Sequence, residues 1–184
     1  MDDFTHLLAQ LRGGDREAMA RAFAATYDEL HALAHQRLRK SAPDNVLNTT
    51  ALVHECYLRL SNLGQLTLAD RNHFIGYSAH VMRSVVVDFA RERLAQRRGA
   101  GAVLITLSTD VVGMETVDAE MLLAIEEALQ TLATSEPRLV EVVEMKYFAG
   151  FTVDEIAHNL GLTERTVRRD WEKARLLLAV LLRP

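Results

Sequence analysis

Apolar residues recur along most of this chain every three to four positions, the spacing that gathers them on one face of an α-helix. Ala18, Ala22, Leu30, Leu33 and Leu38 keep that spacing and predict one long helix over residues 15–40. Pro43, within "SAPDN", disfavours helical geometry in the residue before it and ends the element. A second helix is predicted over residues 47–63, "LNTTALVHECYLRL" and a little beyond, with Leu52, Val53, Cys56, Leu58 and Leu60 for its buried face. "GQLTLADRN" (residues 64–72) interrupts the pattern as a loop. A third long helix follows over residues 73–96, with Phe74, Ala79, Val81, Met82, Val85, Val86 and Phe89 as its apolar positions. Residues 97–118, "RRGAGAVLITLSTDVVGMETVD", then lose the helical period. The run "VLITL" is strand-like, but a lone strand has no partner. Helical patterning resumes over residues 119–132, and Ser135 is the expected N-cap of a further helix with Pro137 in its first turn. The expected fold is all-α: two small helical domains, residues 1–97 and 119–184, joined by a flexible linker over 98–118.

The most specific local pattern is "FTVDEIAHNLGLTERTVRRDWEKAR", residues 151–175. Thr152 and Glu155 form a T-x-x-E capping box, in which each side chain satisfies the other residue's backbone N–H at a helix start. Ile156, Ala157 and Leu160 give this short helix a buried face. Gly161 stands where the chain turns sharply, in a conformation glycine adopts without steric cost. Leu162 plugs the turn, Thr163 caps the next helix, and Val167, Trp171 and Ala174 line its inner side. The spacing of Ala157, Gly161 and Val167 is that of a helix-turn-helix, whose second helix enters the major groove by its N-terminal part. Its candidate DNA contacts are Thr163, Arg165, Thr166, Arg168, Arg169 and Lys173, with bases to phosphates and one or two side chains to base edges. One departure is that Trp171 follows Val167 a residue later than the usual pattern has its apolar position.

Composition agrees with a helical, core-forming chain. At 184 residues, 49% hydrophobic and 25% charged, it has material for one ordinary domain or two small ones. Its 9 glycines and 3 prolines are few enough to favour helix. A single cysteine, Cys56, excludes an internal disulfide and points to a reducing cytosol. The N-terminal stretch has no apolar signal-peptide core, and the longest apolar run, residues 176–182, is far short of the ~20 that span a bilayer. A cytoplasmic protein without a membrane partner is expected. The net charge of −4 does not suggest nucleic acid, but its distribution does. Arg83, Arg91, Arg93, Arg97 and Arg98 face only Asp88 and Glu92 in sequence, and Arg165, Arg168, Arg169, Lys173 and Arg175 only Asp170 and Glu172. Two basic stretches in an acidic chain are either two contact surfaces or two solvated helix faces.

With the helix-turn-helix in place, nearly the whole chain resembles a bacterial RNA polymerase sigma factor of the extracytoplasmic-function (ECF) type. "EVVEMKYFAGFTVDEIAHNLGLTERTVRRDWEKARLLL" is similar to the family's region 4, which implies binding of the minus-thirty-five promoter element. "NTTALVHECYLRL" sits where region 2.2 should be, and "DRNHFIGYSAHVMRSVVVDFARERLAQRRG" resembles regions 2.3 and 2.4, which melt and read the minus-ten element. The forms "TVRRDW" and "VVDFAR" resemble one ECF subgroup more than the family at large. The resemblance implies core RNA polymerase as a partner, through its β′ coiled coil and β flap, together with promoter DNA. A melted strand needs a basic track and a pocket for a flipped base. The resemblance puts Asp70, Arg71, Asn72 and His73 in the base-capturing loop; Arg83, Arg91, Arg93, Arg97 and Arg98 would supply the track. Phe74 and Tyr77 are candidate stacking rings, although aromatics at helical spacing mostly belong to a core. Two modest DNA affinities combine through effective concentration once polymerase holds both halves.

In the family, region 2.2 docks on the polymerase β′ coiled coil and begins with an acidic cluster, roughly D-x-E-D-L-V-Q-E. Aligned on Leu52, Val53 and Glu55, this chain has Asn48, Thr50 and Ala51 at the acidic positions, and Glu55 alone remains. The docking residues on this alignment are Asn48, Thr49, Thr50, Ala51, His54 and Glu55. Three explanations compete for the missing acids. Thr49 or Thr50 is a plain helix cap at a different interface; or a phosphothreonine, carrying about −1.5 to −2 charge, restores the acid where a helix N-terminus favours it; or a compensating partner or polymerase surface takes over. Thr50 precedes Thr49 as phosphorylation candidate because it occupies an acidic position itself. Related subgroups that lack these acids are associated with Ser/Thr kinases, so a kinase or an anti-sigma factor is a further expected partner.

An enzyme is not expected. His31 and His35 have the spacing of a zinc pair, but no H-E-x-x-H pattern or third ligand accompanies them. There is no P-loop, glycine-rich nucleotide fingerprint or G-x-S-x-G, and Cys56 lies on an apolar face; no catalytic residue, metal site or cofactor is expected. The non-enzyme alternative is a stand-alone helix-turn-helix regulator with an N-terminal sensing or dimerisation domain, which would bind a palindrome without polymerase. The tail "LLLAVLLR" is too apolar for a surface helix and is expected to pack on one of the two domains; if it bridges them, the isolated protein is closed.

Overall fold

The computed structural model describes residues 3–41, 48–98 and 116–183. They form α1 (Asp3–Leu11), α2 (Arg16–Ser41), α3 (Thr49–Asn62), α4 (Arg71–Arg98), α5 (Thr116–Ser135), α6 (Pro137–Val143), a π-helical turn (Glu144–Phe148), α7 (Val153–Leu160) and α8 (Glu164–Leu181), with no strand among the described residues. The protein is all-α, as its periodicity predicts. "VLITL" lies outside the described residues, and so does most of the expected linker, whose two ends are helical: α4 runs on to Arg98 and α5 starts at Thr116.

Polar side chains at the helix starts set the boundaries in the first half. Asp15 precedes α2 and its Oδ1 accepts from the backbone N–H of Glu17 at 2.8 Å and Ala18 at 3.2 Å. Asn48 caps α3 by accepting from the N–H of Thr50 at 2.9 Å. Asp70 does the same for α4, accepting from the N–H of His73 at 2.9 Å. Each cap pairs N–H groups that the first turn of a helix leaves without partners. α1 is an element the periodicity argument did not name; Phe4, Leu7, Leu8 and Leu11 share one buried face. These four meet Leu30, Leu52, Leu60, Phe74 and Met82 in the first-half core. The loop before α4 is anchored by buried Leu66 and Leu68, and by the Leu66 N–H donating to the Leu11 carbonyl at 3.1 Å. Leu58 departs from expectation: it is 41% exposed, because α3 turns Leu52, Val53, Cys56 and Leu60 inward and leaves Leu58 on the opposite face.

In the second half, Leu129, Leu132, Leu139, Val143 and Ala174 bring α5, α6 and α8 together. Ser135 closes α5 and is not the cap of α6; that position is Glu136, which makes no side-chain capping bond, with Pro137 following it. The expected capping box is present, with Thr152 Oγ1 accepting from the Glu155 N–H at 3.3 Å and Glu155 Oε2 accepting from the Thr152 N–H at 2.8 Å. Gly161 ends α7 in the left-handed region at φ 63°. Thr152→Ala is expected to cost about 1 kcal/mol of stability, measurable as a lower urea midpoint at unchanged slope.

The two halves are packed together. Val142, Phe151, Ile156, Ala157 and Val167 belong to the same continuous core as Phe74, Ile75, Ala79 and Met82. Phe151 lies across α4 at Gly76, where a Cβ would stand 3.5 Å from the ring. Further along α4, Ala90 and Leu94 pack against Ala119 of α5.

Candidate nucleic-acid and polymerase interface

The second helix of the helix-turn-helix is α8, and its cap is built from two candidate contact residues. Thr163 Oγ1 accepts from the Thr166 N–H at 3.2 Å and lies 2.9 Å from Thr166 Oγ1. Arg165, Arg168, Arg169 and Lys173 all project into solvent. Arg168 pairs with Glu164, Arg169 approaches Asp170 at 3.4 Å and Lys173 meets Glu136 at 2.6 Å. Arg165 has no ion pair among the described residues. Solvent-exposed pairs of this kind contribute little and leave the cations available to phosphate.

Asp170 is a residue that motif reasoning did not single out. It is 2% exposed, and its Oδ2 accepts from Arg138 Nε at 2.7 Å, tying α8 to α6. The late position of Trp171 is thereby explained. The inward site three residues after Val167 is filled by a carboxylate, satisfied by an arginine from the neighbouring helix, and Trp171 sits half-buried beside it.

Around the start of α4 the candidate minus-ten residues have structural partners. Asp70 caps the helix, and its Oδ1 is also 3.0 Å from His73 Nδ1. Burial alone would raise the Asp70 pKa; the hydrogen bond from the His73 backbone N–H and the adjoining His73 ring outweigh it and hold it below its ordinary value. The Arg71 guanidinium donates to the Glu29 carboxylate and to the Ala25 carbonyl at 3.0 Å, and lies over the Phe4 ring. Asn72 is partly exposed. Phe74 is wholly buried, edge-on to Phe4 at 5.7 Å, and so is a core residue in this structure rather than a stacking platform. Tyr77 is half-buried and stacks on the His80 ring.

Arg91 is exposed, 3.5 Å from Asp88. The side chains of Arg93, Arg97 and Arg98 lie outside the described residues. Arg83 is set between the halves of the protein. Its guanidinium donates to Glu126 on α5 and, at 2.7 Å, to Glu144 of the π-helical turn, and it lies 5.3 Å from the centre of the Phe148 ring. Glu144 is also 3.0 Å from His80 Nδ1. Burial pushes the Glu144 pKa up; the hydrogen bond and charge of His80, with the charge of Arg83, overcome that and hold it below the ordinary carboxylate value.

At the start of α3, Asn48, Thr50, Ala51 and His54 are exposed, and Thr49 and Glu55 partly so. The cap is the Asn48 carboxamide, so neither threonine hydroxyl fills that role. Glu55 is 3.4 Å from Arg59, which also reaches Asp88 at 2.8 Å. Exposed Leu58 continues the same face. The C-terminal tail packs on the second half, one of the two placements expected for it. Leu177 and Leu178 pack on the second-half core, whereas Leu176, Val180, Leu181 and Leu182 remain exposed.

Among the described residues no group of His, Cys, Asp or Glu could hold a metal ion, and no helix is long and apolar enough to cross a membrane. A helix-turn-helix with a basic outer face, packed behind a helical half that bears its own arginines, defines a DNA-binding transcription protein. The family model for ECF sigma factors matches residues 1–183, and the chain belongs to that family. A comparison with curated proteins gives no match. The protein is therefore a transcription initiation factor of the alternative sigma class, with RNA polymerase and promoter DNA as its partners. The stand-alone regulator is set aside on the same finding.

Proposed function

We propose that this sigma factor docks on core polymerase through the exposed face of α3, and that docking is switched on by phosphorylation of Thr50. The observation that carries the proposal is the entrance of α3: Asn48 already supplies the cap, and Thr50 is exposed in the first turn with no acidic residue there. A phosphate on Thr50 adds about −1.5 to −2 charge at the end of the helix that favours anions. Asn48, Thr49, Ala51, His54 and Glu55 form the rest of the docking edge, and Leu58 extends it. The β′ coiled coil is the surface this edge meets, and the exposed leucines at the end of α8 suit the β flap. A Ser/Thr kinase is the regulatory partner on this reading. Asp70, Arg71, Asn72, His73, Arg83, Arg91 and Arg93 serve the minus-ten element and Thr163, Arg165, Thr166, Arg168, Arg169 and Lys173 the minus-thirty-five element.

The test is capture of core polymerase and transcription from a cognate promoter by wild type with and without kinase, and by Thr50→Ala, Thr49→Ala and Thr50→Glu. Kinase treatment is expected to raise capture at least about tenfold, the effect of one new charge-assisted contact. Thr50→Ala should block the rise and Thr49→Ala should not. A Thr50→Ala protein as active in cells as wild type sinks the switch. Thr50→Glu carries a single charge and is expected to give a partial gain.

A further inference from the structure

We infer that two copies of this chain associate through the outer stripe of α8, Glu172, Leu176, Ala179 and Arg183, with the two helices antiparallel. The inference goes beyond the promoter and polymerase contacts and does not depend on Thr50.

The stripe is built by spacing. Steps of four, three and four residues return Glu172, Leu176, Ala179 and Arg183 to one side of a helix, as along the seam of a coiled coil. All four are exposed, and the buried side of α8, with Val167, Asp170 and Ala174, lies opposite. Leu176, 69% exposed, and Val180 beside the stripe, 61% exposed, are the most exposed large apolar side chains among the described residues. α8 ends at Leu181, but the chain keeps its turn as far as Arg183, whose N–H donates to the Val180 carbonyl at 3.4 Å.

The order of residues along the stripe selects its occupant. It reads acid, large, small, base, and turned end for end it is its own complement. In an antiparallel pair with its two-fold axis midway between Leu177 and Leu178, Glu172 of one copy meets Arg183 of the other, and Leu176 meets Ala179. Each pairing occurs twice, because a two-fold interface is self-complementary. The end charges attract, and each leucine fills the space its facing alanine leaves, so the helices can interdigitate. A parallel pair would set Glu172 against Glu172 and Arg183 against Arg183, and like charges in contact oppose association. Little within the chain competes for these charges. Arg183 has no ion pair among the described residues, and Glu172 meets Arg175 at 3.3 Å in an exposed pair of the kind that contributes little.

The association is weak by its size. Residues 172–183 cover about 17 Å of helix at ~1.5 Å per residue, which falls short of the ~1,200–2,000 Å² that stable specific interfaces bury. A dissociation constant on the order of 10 to 100 μM is expected. The pairing covers Leu176, one of the exposed leucines proposed for the β flap. It is therefore a state of the free factor, which polymerase breaks by mass action.

The experiment is sedimentation equilibrium of the unphosphorylated full-length chain from about 1 μM to about 1 mM, a range that brackets such a constant. The average mass of wild type should rise from that of one chain towards that of two. Leu176→Glu changes an exposed position, should keep its helical circular dichroism, and should remain a single chain throughout. Glu172→Arg and Arg183→Glu each set like charges face to face at both ends, and each should raise the dissociation constant at least about tenfold. The double reversal exchanges the ends, restores opposite charges and should return association to near the wild-type level. Wild type that stays a single chain over the whole range overturns the inference. So does a Leu176→Glu protein that associates like wild type. Single reversals without effect, or a double reversal without recovery, overturn the antiparallel pairing itself. No readout involves polymerase, DNA or a kinase, so failure here is distinct from failure of the Thr50 switch.

Discussion

Phe74→Ala should lower the stability of this protein by about 3–5 kcal/mol, the usual cost of emptying a fully buried phenylalanine site. The ring is wholly buried, edge-on to Phe4, with Ile75, Ala79 and Met82 of the same helix also in the core. Most small domains have only about 5–15 kcal/mol in total, so the variant should be largely unfolded in modest urea and poorly expressed. The measurement also decides between two roles for the ring. A side chain that stacked on a promoter base would leave the urea midpoint unchanged on truncation and would weaken only promoter opening. A core ring shifts the midpoint first. An unchanged midpoint would show that Phe74 leaves the core at little cost and would reinstate the stacking role.

Arg165→Ala is expected to weaken binding of the minus-thirty-five duplex about 10- to 100-fold, equivalent to about 1–3 kcal/mol for a base-edge contact. Arg165 lies in the first turn of α8, the part of a recognition helix that reaches base edges, and it is unpaired among the described residues. If Arg168, Arg169 and Lys173 exchange their carboxylate partners for phosphates on binding, as proposed, their alanine variants should lose less and reduce the salt slope by about one unit each. Titration of cognate and scrambled duplexes at several salt concentrations separates the cases. If Arg165→Ala weakens both duplexes equally and lowers the slope by about one, Arg165 is a phosphate contact. If it changes neither, α8 does not enter the groove by this turn.

The helix-turn-helix was legible because all its signals are local. A capping box, a left-handed glycine and a short stripe of apolar residues depend on neighbours a few positions away, and each stands where the spacing puts it. The same locality explains the errors. Leu58 and Leu60 are equally apolar, but only Leu60 shares the helical face of Leu52, Val53 and Cys56 that α2 and α4 cover. Asn48, Thr49 and Thr50 are all competent caps, and the backbone chose the first. Asp170 reads as a surface acid until α6 brings Arg138 to it from 32 residues away in sequence.

The amino-acid sequence by itself determined the all-α class, the helix-turn-helix, the family and the absence of acids at the start of α3, since each is a matter of residue identity and short-range spacing. The tertiary structure alone decided that Phe74 is core, that Asp170 braces the recognition helix, and that Arg83 is held against Glu126 and Glu144. The physical reason is common to all three. Burial and charge pairing are properties of what a residue meets, and the partners here come from other helices, whose approach no local pattern specifies.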